Sequence, residues 1–181
     1  MKLTLSQKPR LLLLSDMYGD IHPNWASPYE TLLAEHFDLQ CYDSCLLAGV
    51  EQALVDAELL HEQFLDGGID RAVSWLLAAE DDPFYALGLS VGGTILWKAA
   101  LAGAPITQLT TISSTRLRFE TQKPNCNCDL WFGEKDIYRP DKQWFANLGL
   151  QEHVITEAGH DSYLAIEVAQ TVCSKLIEIL P

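Results

Sequence analysis

The chain has 181 residues, of which 48% are hydrophobic, so it is long enough to bury one core and short for two. Its 12 Lys and Arg against 25 Asp and Glu give a net charge of −13, and the resulting repulsion of phosphates argues against nucleic acid or an anionic membrane as a partner. We therefore expect a single domain over residues 1–181 that binds a neutral or cationic small molecule more readily than an anionic one.

The cysteines and the start of the chain bear on its compartment. The apolar run after the basic N-terminus is too short for a secretory signal, and no stretch is long enough to span a bilayer. Five cysteines are an odd number for a disulfide framework, so we expect reduced thiols in the cytoplasm. Cys126 and Cys128 do not have the spacing of a zinc site, and we expect neither a metal nor another cofactor.

The beginning of the chain predicts a strand, a helix and a second strand. Residues 10–15 form an apolar run typical of a buried strand, and residues 37–43 alternate in the manner of a second strand. Between them, Ser27 is predicted to cap a helix, with Pro28 at the first helical position and Glu30 completing a capping box.

The middle of the chain is less regular. Residues 50–82 are predicted as a helical or looping excursion, which breaks at Gly67 and Gly68 and continues as a helix from about residue 70 to about residue 80. A third strand at 83–90 and a helix at 91–103 follow.

The remaining chain again alternates the two kinds of element. Strands are predicted at 106–113, 127–134 and 152–159, and helices at 141–149 and 161–180. Strands that alternate with helices are typical of a parallel sheet covered by helices on both faces. The sequence therefore predicts an α/β fold around a mostly parallel six-stranded sheet.

Ser90 stands where the third strand turns into a helix. Gly88 and Gly92 flank it in the pattern G-x-S-x-G, and such a turn needs tiny neighbours because a serine there adopts a costly backbone conformation. The turn lifts the hydroxyl clear of the sheet and aims the N–H of Val91 at a developing oxyanion. The alternative is a glycine-rich turn whose serine only caps a helix.

A nucleophilic serine needs a base. Downstream of a serine at such a strand-to-helix turn, the expected order along the chain is the acid and then the histidine. Only His153 and His160 follow Ser90. His153 lies inside a predicted strand, where a structural role is favoured. His160 lies in a loop at the carboxyl end of that strand, where catalytic groups gather in α/β sheets, and we predict it as the base.

Four aspartates can supply the acid. Asp136 lies in the loop after the fifth strand, on the same edge of the sheet, and is the preferred candidate, with Asp141 next. Asp129 falls within a strand, and Asp161 adjoins the histidine that it would have to face.

These segments together resemble the α/β-hydrolase superfamily. The resemblance covers nearly the whole chain through four stretches in the family's order: "LLLLSDMYGD", "GLSVGG", "WFGEKDIYRP" and "EAGHDSY". It implies a single-domain α/β-hydrolase fold with a minimal six-stranded core and no long cap. It also implies a catalytic triad of Ser90, Asp136 and His160.

The same resemblance implies an oxyanion hole made by the N–H of Val91 and that of Met17, with Tyr18 as a close alternative to Met17. The loop after the first strand carries Ser15 and Asp16 where the family usually has His-Gly. Without a cap, short loops must form the substrate pocket. We predict substrate contacts there from four side chains, each of which could instead be a surface or packing residue: Tyr18, Trp25, Ile137 and Tyr138.

The sequence thus predicts a serine hydrolase that cleaves carboxylic esters or thioesters of small molecules through an acyl-enzyme on Ser90. One alternative is a hydrolase-like protein-interaction module with little turnover, because a fold does not by itself imply activity. Another is a triad enzyme of an acyl-transfer, peptidase or lyase type. We expect a monomer or a homodimer.

Overall fold

A parallel sheet forms the centre of the fold. The computed structural model describes residues 8–53 and 56–180, and within them six strands pair in the order β2-β1-β3-β4-β5-β6, with every pairing parallel. The predicted α/β fold is therefore confirmed. The strands are β1 (Arg10–Leu14), β2 (Asp38–Tyr42), β3 (Phe84–Leu89), β4 (Ile106–Ile112), β5 (Asn127–Gly133) and β6 (Glu152–Ile155).

Helices cover both faces of the sheet. In the described residues they are α1 (Ser27–Leu33), α2 (Ser44–Ala48), α3 (Ala57–Gln63), α4 (Ile69–Ala79), α5 (Val91–Leu101), α6 (Lys142–Leu148) and α7 (Ile166–Glu178). Helices α1 and α7 pack on one face, and α2 to α6 on the other. None of them is both long and apolar enough to cross a bilayer.

Strand β1 shows why the sheet is buried on both sides. Its four leucines are fully buried, and because successive side chains in a strand point to opposite faces, they serve two cores. Leu11 and Leu13 join the core under α1 and α7, whereas Leu12 and Leu14 join the core under α2 to α6. Continuous burial explains the uninterrupted apolar run in the sequence.

The excursion after β2 is helical. Asp43 caps the short α2 by accepting from the N–H of Cys45 at 2.7 Å, and Gly49 ends it in the left-handed region. A π-helical turn at Phe64–Gly68 joins α3 to α4 and contains Gly67 at φ +80°. The sequence predicted α4 within one residue but assigned no element to residues 44–49, where α2 lies. Residues 54–55 of the excursion and the basic start of the chain at 1–7 lie outside the described residues.

The predicted capping box of α1 is wrong. The helix is preceded by Ala26, which is itself in the right-handed region, and Ser27 is the first helical residue with no capping bond from its side chain. The reason is the turn before the helix, in which the N–H of Ser27 already donates to the carbonyl of Asn24 at 3.1 Å. Glu30 instead accepts from the thiol of Cys41 at 3.5 Å.

Candidate active site

Ser90 occupies a strained turn between β3 and α5. Its backbone lies at φ +49° and ψ −116°, a region that favours glycine, and strain of this kind clusters at functional sites. The neighbours leave no room for side chains. A Cβ at Gly88 would stand 2.5 Å from Cα of Gly93, and a Cβ at Gly92 would stand 2.7 Å from the carbonyl oxygen of Leu14.

His160 and Asp136 approach Ser90 from the loops after β6 and β5. The Ser90 hydroxyl lies 3.0 Å from Nε2 of His160, and Nδ1 of His160 lies 3.0 Å from Oδ2 of Asp136. The Asp136 carboxylate is buried, and its other oxygen accepts from the N–H of Tyr138 at 2.9 Å. The structure therefore brings together the three residues that the sequence selected.

This chain of hydrogen bonds has a definite chemical capacity. The Asp136 carboxylate accepts a hydrogen bond from Nδ1 of His160. It therefore favours the tautomer in which Nδ1 carries the proton and Nε2 directs its lone pair toward Ser90. Nε2 can then take the hydroxyl proton, and the buried carboxylate stabilises the imidazolium that forms.

The competing side chains are engaged elsewhere. His153 stacks on Trp131 at 4.5 Å and lies 3.5 Å from Asp129. Asp141 caps α6 by accepting from the N–H of Trp144 at 2.8 Å. The strand predicted to reach residue 159 ends at Ile155, and a 3-10 turn at His160–Leu164 precedes α7.

Asp16 organises the loop after β1, which carries one of the two predicted oxyanion donors. Its Oδ1 accepts from the N–H groups of Tyr18 at 3.0 Å and Gly19 at 3.2 Å, and its Oδ2 accepts from the Tyr163 hydroxyl at 3.0 Å. Burial and the Asp16 charge raise the pKa of Tyr163, so this hydroxyl remains a donor.

The N–H groups of both predicted oxyanion donors are free of hydrogen bonds to the described residues. Within residues 8–53 and 56–180, neither the N–H of Met17 nor that of Val91 donates a hydrogen bond to the rest of the chain. Tyr18, the alternative to Met17, has its N–H committed to Asp16. The geometry thus favours Met17 over Tyr18 as the second donor.

A small cavity lies beside Ser90, Met17 and Val91. Its volume is about 20 Å³, room for about one water molecule. Ser90, Met17 and Val91 line it together with residues of α3, the π-helical turn, α4 and the loop after β4, namely His61, Phe64, Leu65, Ile69, Thr115 and Arg116. We call it the Ser90 cavity. Sequence reasoning missed these last six residues, because no motif marks them.

The four predicted substrate contacts are spread over the surface around the site. Tyr138 packs edge-on against His160 at 4.9 Å between ring centroids, whereas Tyr18 stacks on His22 at 4.6 Å. Ile137 is 83% exposed. Trp25 lines a separate open cavity of about 620 Å³ near the end of β2. Of these four residues, therefore, only Tyr138 has a described contact with Ser90, His160 or Asp136.

Metal-binding groups are not assembled in the part of the chain that the structure describes: no three His, Cys, Asp or Glu side chains there are placed to hold an ion. The thiols of Cys126 and Cys128 lie 3.9 Å apart at the start of β5, the end of that strand away from Asp136.

Solved structures share this architecture at low sequence identity. A protein from Xanthomonas campestris pv. campestris assigned to the alpha/beta superfamily of hydrolases is 14% identical, with a TM-score of 0.69 over 96% of this chain and 100% of its own. A predicted CIB-like hydrolase from Thermoplasma acidophilum is 15% identical, with a TM-score of 0.70 over 98% and 90% of the two chains. A dienelactone hydrolase-like promiscuous phosphotriesterase from metagenomic libraries is 15% identical, with a TM-score of 0.69 over 96% and 85%.

No protein-family model matches the sequence, and no curated protein matches it either. The likeness to these solved structures is therefore a likeness of fold. The chain has the α/β-hydrolase fold.

Proposed function

We propose that this protein is a serine hydrolase that cleaves carboxylic esters or thioesters of small molecules through an acyl-enzyme on Ser90. The observation that carries the proposal is the continuous path from the buried Asp136 carboxylate through His160 to the Ser90 hydroxyl, with 3.0 Å at each step. A capping serine would need neither partner.

In the first half of the reaction, Nε2 of His160 takes the proton of Ser90 as Oγ attacks the carbonyl carbon of the substrate. The carbonyl oxygen becomes an oxyanion, and the free N–H groups of Met17 and Val91 donate to it. The positive end of α5, which begins directly after Ser90, stabilises the same charge. His160 then gives its proton to the departing alcohol or thiol.

In the second half, a water molecule takes the position of the leaving group. His160 removes a proton from the water, the resulting nucleophile attacks the acyl carbon, and Ser90 regains its proton as the acid is released. Asp136 holds His160 in one orientation through both halves.

The structural neighbours support hydrolytic chemistry in general. Those compared above are described as hydrolases, and one of them as a phosphotriesterase. They do not select an ester or a thioester, and that choice rests here on the site itself, which offers a nucleophile, a base and two oxyanion donors.

The test is hydrolysis of a panel of short and medium-chain activated esters and thioesters by the wild type and by Ser90→Ala. We expect the variant to lose about 10⁴-fold or more in kcat. Ser74→Ala is the matched control, because Ser74 is exposed on α4 and bonds only within that helix. Equal rates for the wild type and Ser90→Ala would refute the proposal and favour the interaction-module alternative.

A further inference from the structure

The Ser90 cavity carries positive charge in an acidic chain. Among its nine described lining residues, Arg116 is cationic and none is Asp or Glu. The whole chain has 25 Asp and Glu against 12 Lys and Arg. The local balance beside the nucleophile is thus opposite to the balance of the molecule.

Arg116 is held at this place by an unusual backbone. It lies at φ +64°, in the left-handed region, which costs a residue with a side chain about 1 kcal/mol or more. The carbonyl of the preceding Thr115 accepts a hydrogen bond from the Thr94 hydroxyl, which fixes the loop to α5. The loop therefore maintains a strained conformation that sets Arg116 on the cavity.

The guanidinium of Arg116 has no anionic partner of its own. Within residues 8–53 and 56–180 its side chain makes no hydrogen bond and no ion pair, and its contact is with the ring of Phe119 at 5.1 Å. The nearby Arg118 differs, because it donates to the carbonyl of Tyr138 at 3.4 Å and packs over that ring. Arg116 is half-buried, and a half-buried guanidinium is a strong and directional donor to a carboxylate.

The position of the Ser90 cavity indicates that it faces the acyl side of the substrate and not the leaving group. His160 must face the leaving oxygen or sulfur in order to protonate it, and neither His160 nor Tyr138 lines the cavity. The cavity lies instead against Ser90 and the oxyanion donors Met17 and Val91. The acyl part therefore lies on the side of this cavity, whose volume of about 20 Å³ admits only a small terminal group of a short acyl chain.

We infer that Arg116 binds an anionic group, a carboxylate, on the acyl part of the substrate. The inference rests on the proposed function and narrows its substrate class to short esters or thioesters of dicarboxylic acids. The net charge of −13 predicted a neutral or cationic small-molecule ligand. At contact distance, however, the lining side chain dominates, because distant surface charges are screened over about 8 Å at physiological salt.

The test compares two substrates that differ by one charge. Monomethyl succinate carries a carboxylate, and its terminal carboxamide analogue has the same size and no charge. We expect the wild type to favour the anionic ester in kcat/KM, and Arg116→Gln to lower the anionic-to-neutral ratio by about 10- to 100-fold. Arg116→Lys should retain part of the ratio. Lys123→Gln, which removes a charge from an exposed position outside the cavity, should not change it.

An unchanged ratio in Arg116→Gln would overturn the inference and leave the proposed function intact, provided that the neutral ester is hydrolysed by the wild type and not by Ser90→Ala. Calorimetric titration separates the two claims further. Ser90→Ala should bind monomethyl succinate more tightly than the amide, and the double variant with Arg116→Gln should lose this preference. If no ester is hydrolysed, the proposed function fails, and the titration alone decides on Arg116.

Discussion

The Tyr163 hydroxyl donates to Oδ2 of Asp16 at 3.0 Å and thereby ties the turn that begins at His160 to the loop that carries Met17. The proposed general base and one proposed oxyanion donor are therefore positioned by a shared bond. Tyr29 extends the connection, because its hydroxyl donates to the carbonyl of Tyr163 at 2.6 Å. Asp16, which stands where the sequence departs from the family pattern, has a structural role at this junction.

Removing the Asp16 carboxylate should impair catalysis. Asp16→Ala frees the N–H groups that now bond to Asp16 and releases Tyr163, so the Met17 N–H loses its fixed direction. We expect kcat for ester hydrolysis to fall by about 10²-fold, the range measured for loss of one oxyanion donor. Asp16→Asn should recover part of the rate because its amide oxygen can still accept from the loop. Asp20→Ala, at an exposed position of the same loop, is the control. A fall in Asp20→Ala as large as that in Asp16→Ala would contradict this role.

Replacing Asp136 by asparagine should remove the tautomer control of His160. The amide can donate to Nδ1, which leaves Nε2 protonated and unable to accept from Ser90. We expect kcat to fall by about 10⁴-fold near neutral pH with little change in melting temperature. Asp141→Asn keeps a helix cap at α6 and should retain full activity. Wild-type rates in Asp136→Asn would exclude it as the acid.

Shortening Leu65 should change the preferred acyl length. Leu65 lines the Ser90 cavity and is 46% exposed, so Leu65→Ala enlarges the cavity at a small cost in stability, about 1 kcal/mol or less. We expect kcat/KM to rise for medium-chain relative to two-carbon acyl esters. Leu59 on α3 is 44% exposed and does not line the cavity. The same shift in Leu59→Ala would show that the effect does not arise at this wall.

Alkaline pH should destabilise the fold through its buried thiols. Burial raises the pKa of Cys173 from 9.0 to about 12. Between these values the unfolded chain has lost the proton that the native state still holds, so the free energy of unfolding falls as pH rises above about 9. Urea unfolding at pH 8, 9 and 10 measures the slope. Cys173→Val should make it shallower, by up to about 1.4 kcal/mol per pH unit, and identical slopes would contradict the assignment.

Sequence reasoning was strongest where chemistry imposes local patterns. The glycines around Ser90 report a backbone that only small neighbours permit, and the order of Asp136 and His160 follows from parallel strands that end at one edge. These constraints are written in short stretches of sequence, so the meeting of the three side chains could be predicted.

The cavity could not be predicted in the same way. Phe64 and Leu65 come from the π-helical turn and Arg116 from the loop after β4, and these segments meet only through tertiary packing. Trp25 was selected for its type and its place in a loop, but that loop carries it toward β2. Hydrophobic periodicity fixes which face of an element is buried and does not fix which surface loops touch.

The most direct measurement is labelling of the wild type with a fluorophosphonate, followed by peptide mass mapping. An activated serine forms a covalent adduct with this reagent without knowledge of the substrate. We predict one adduct, on the peptide that contains Ser90, its absence in Ser90→Ala, and strong suppression in His160→Ala. An unlabelled wild type that is folded, or labelling of equal extent in Ser90→Ala, would contradict the claim that Ser90 is the nucleophile.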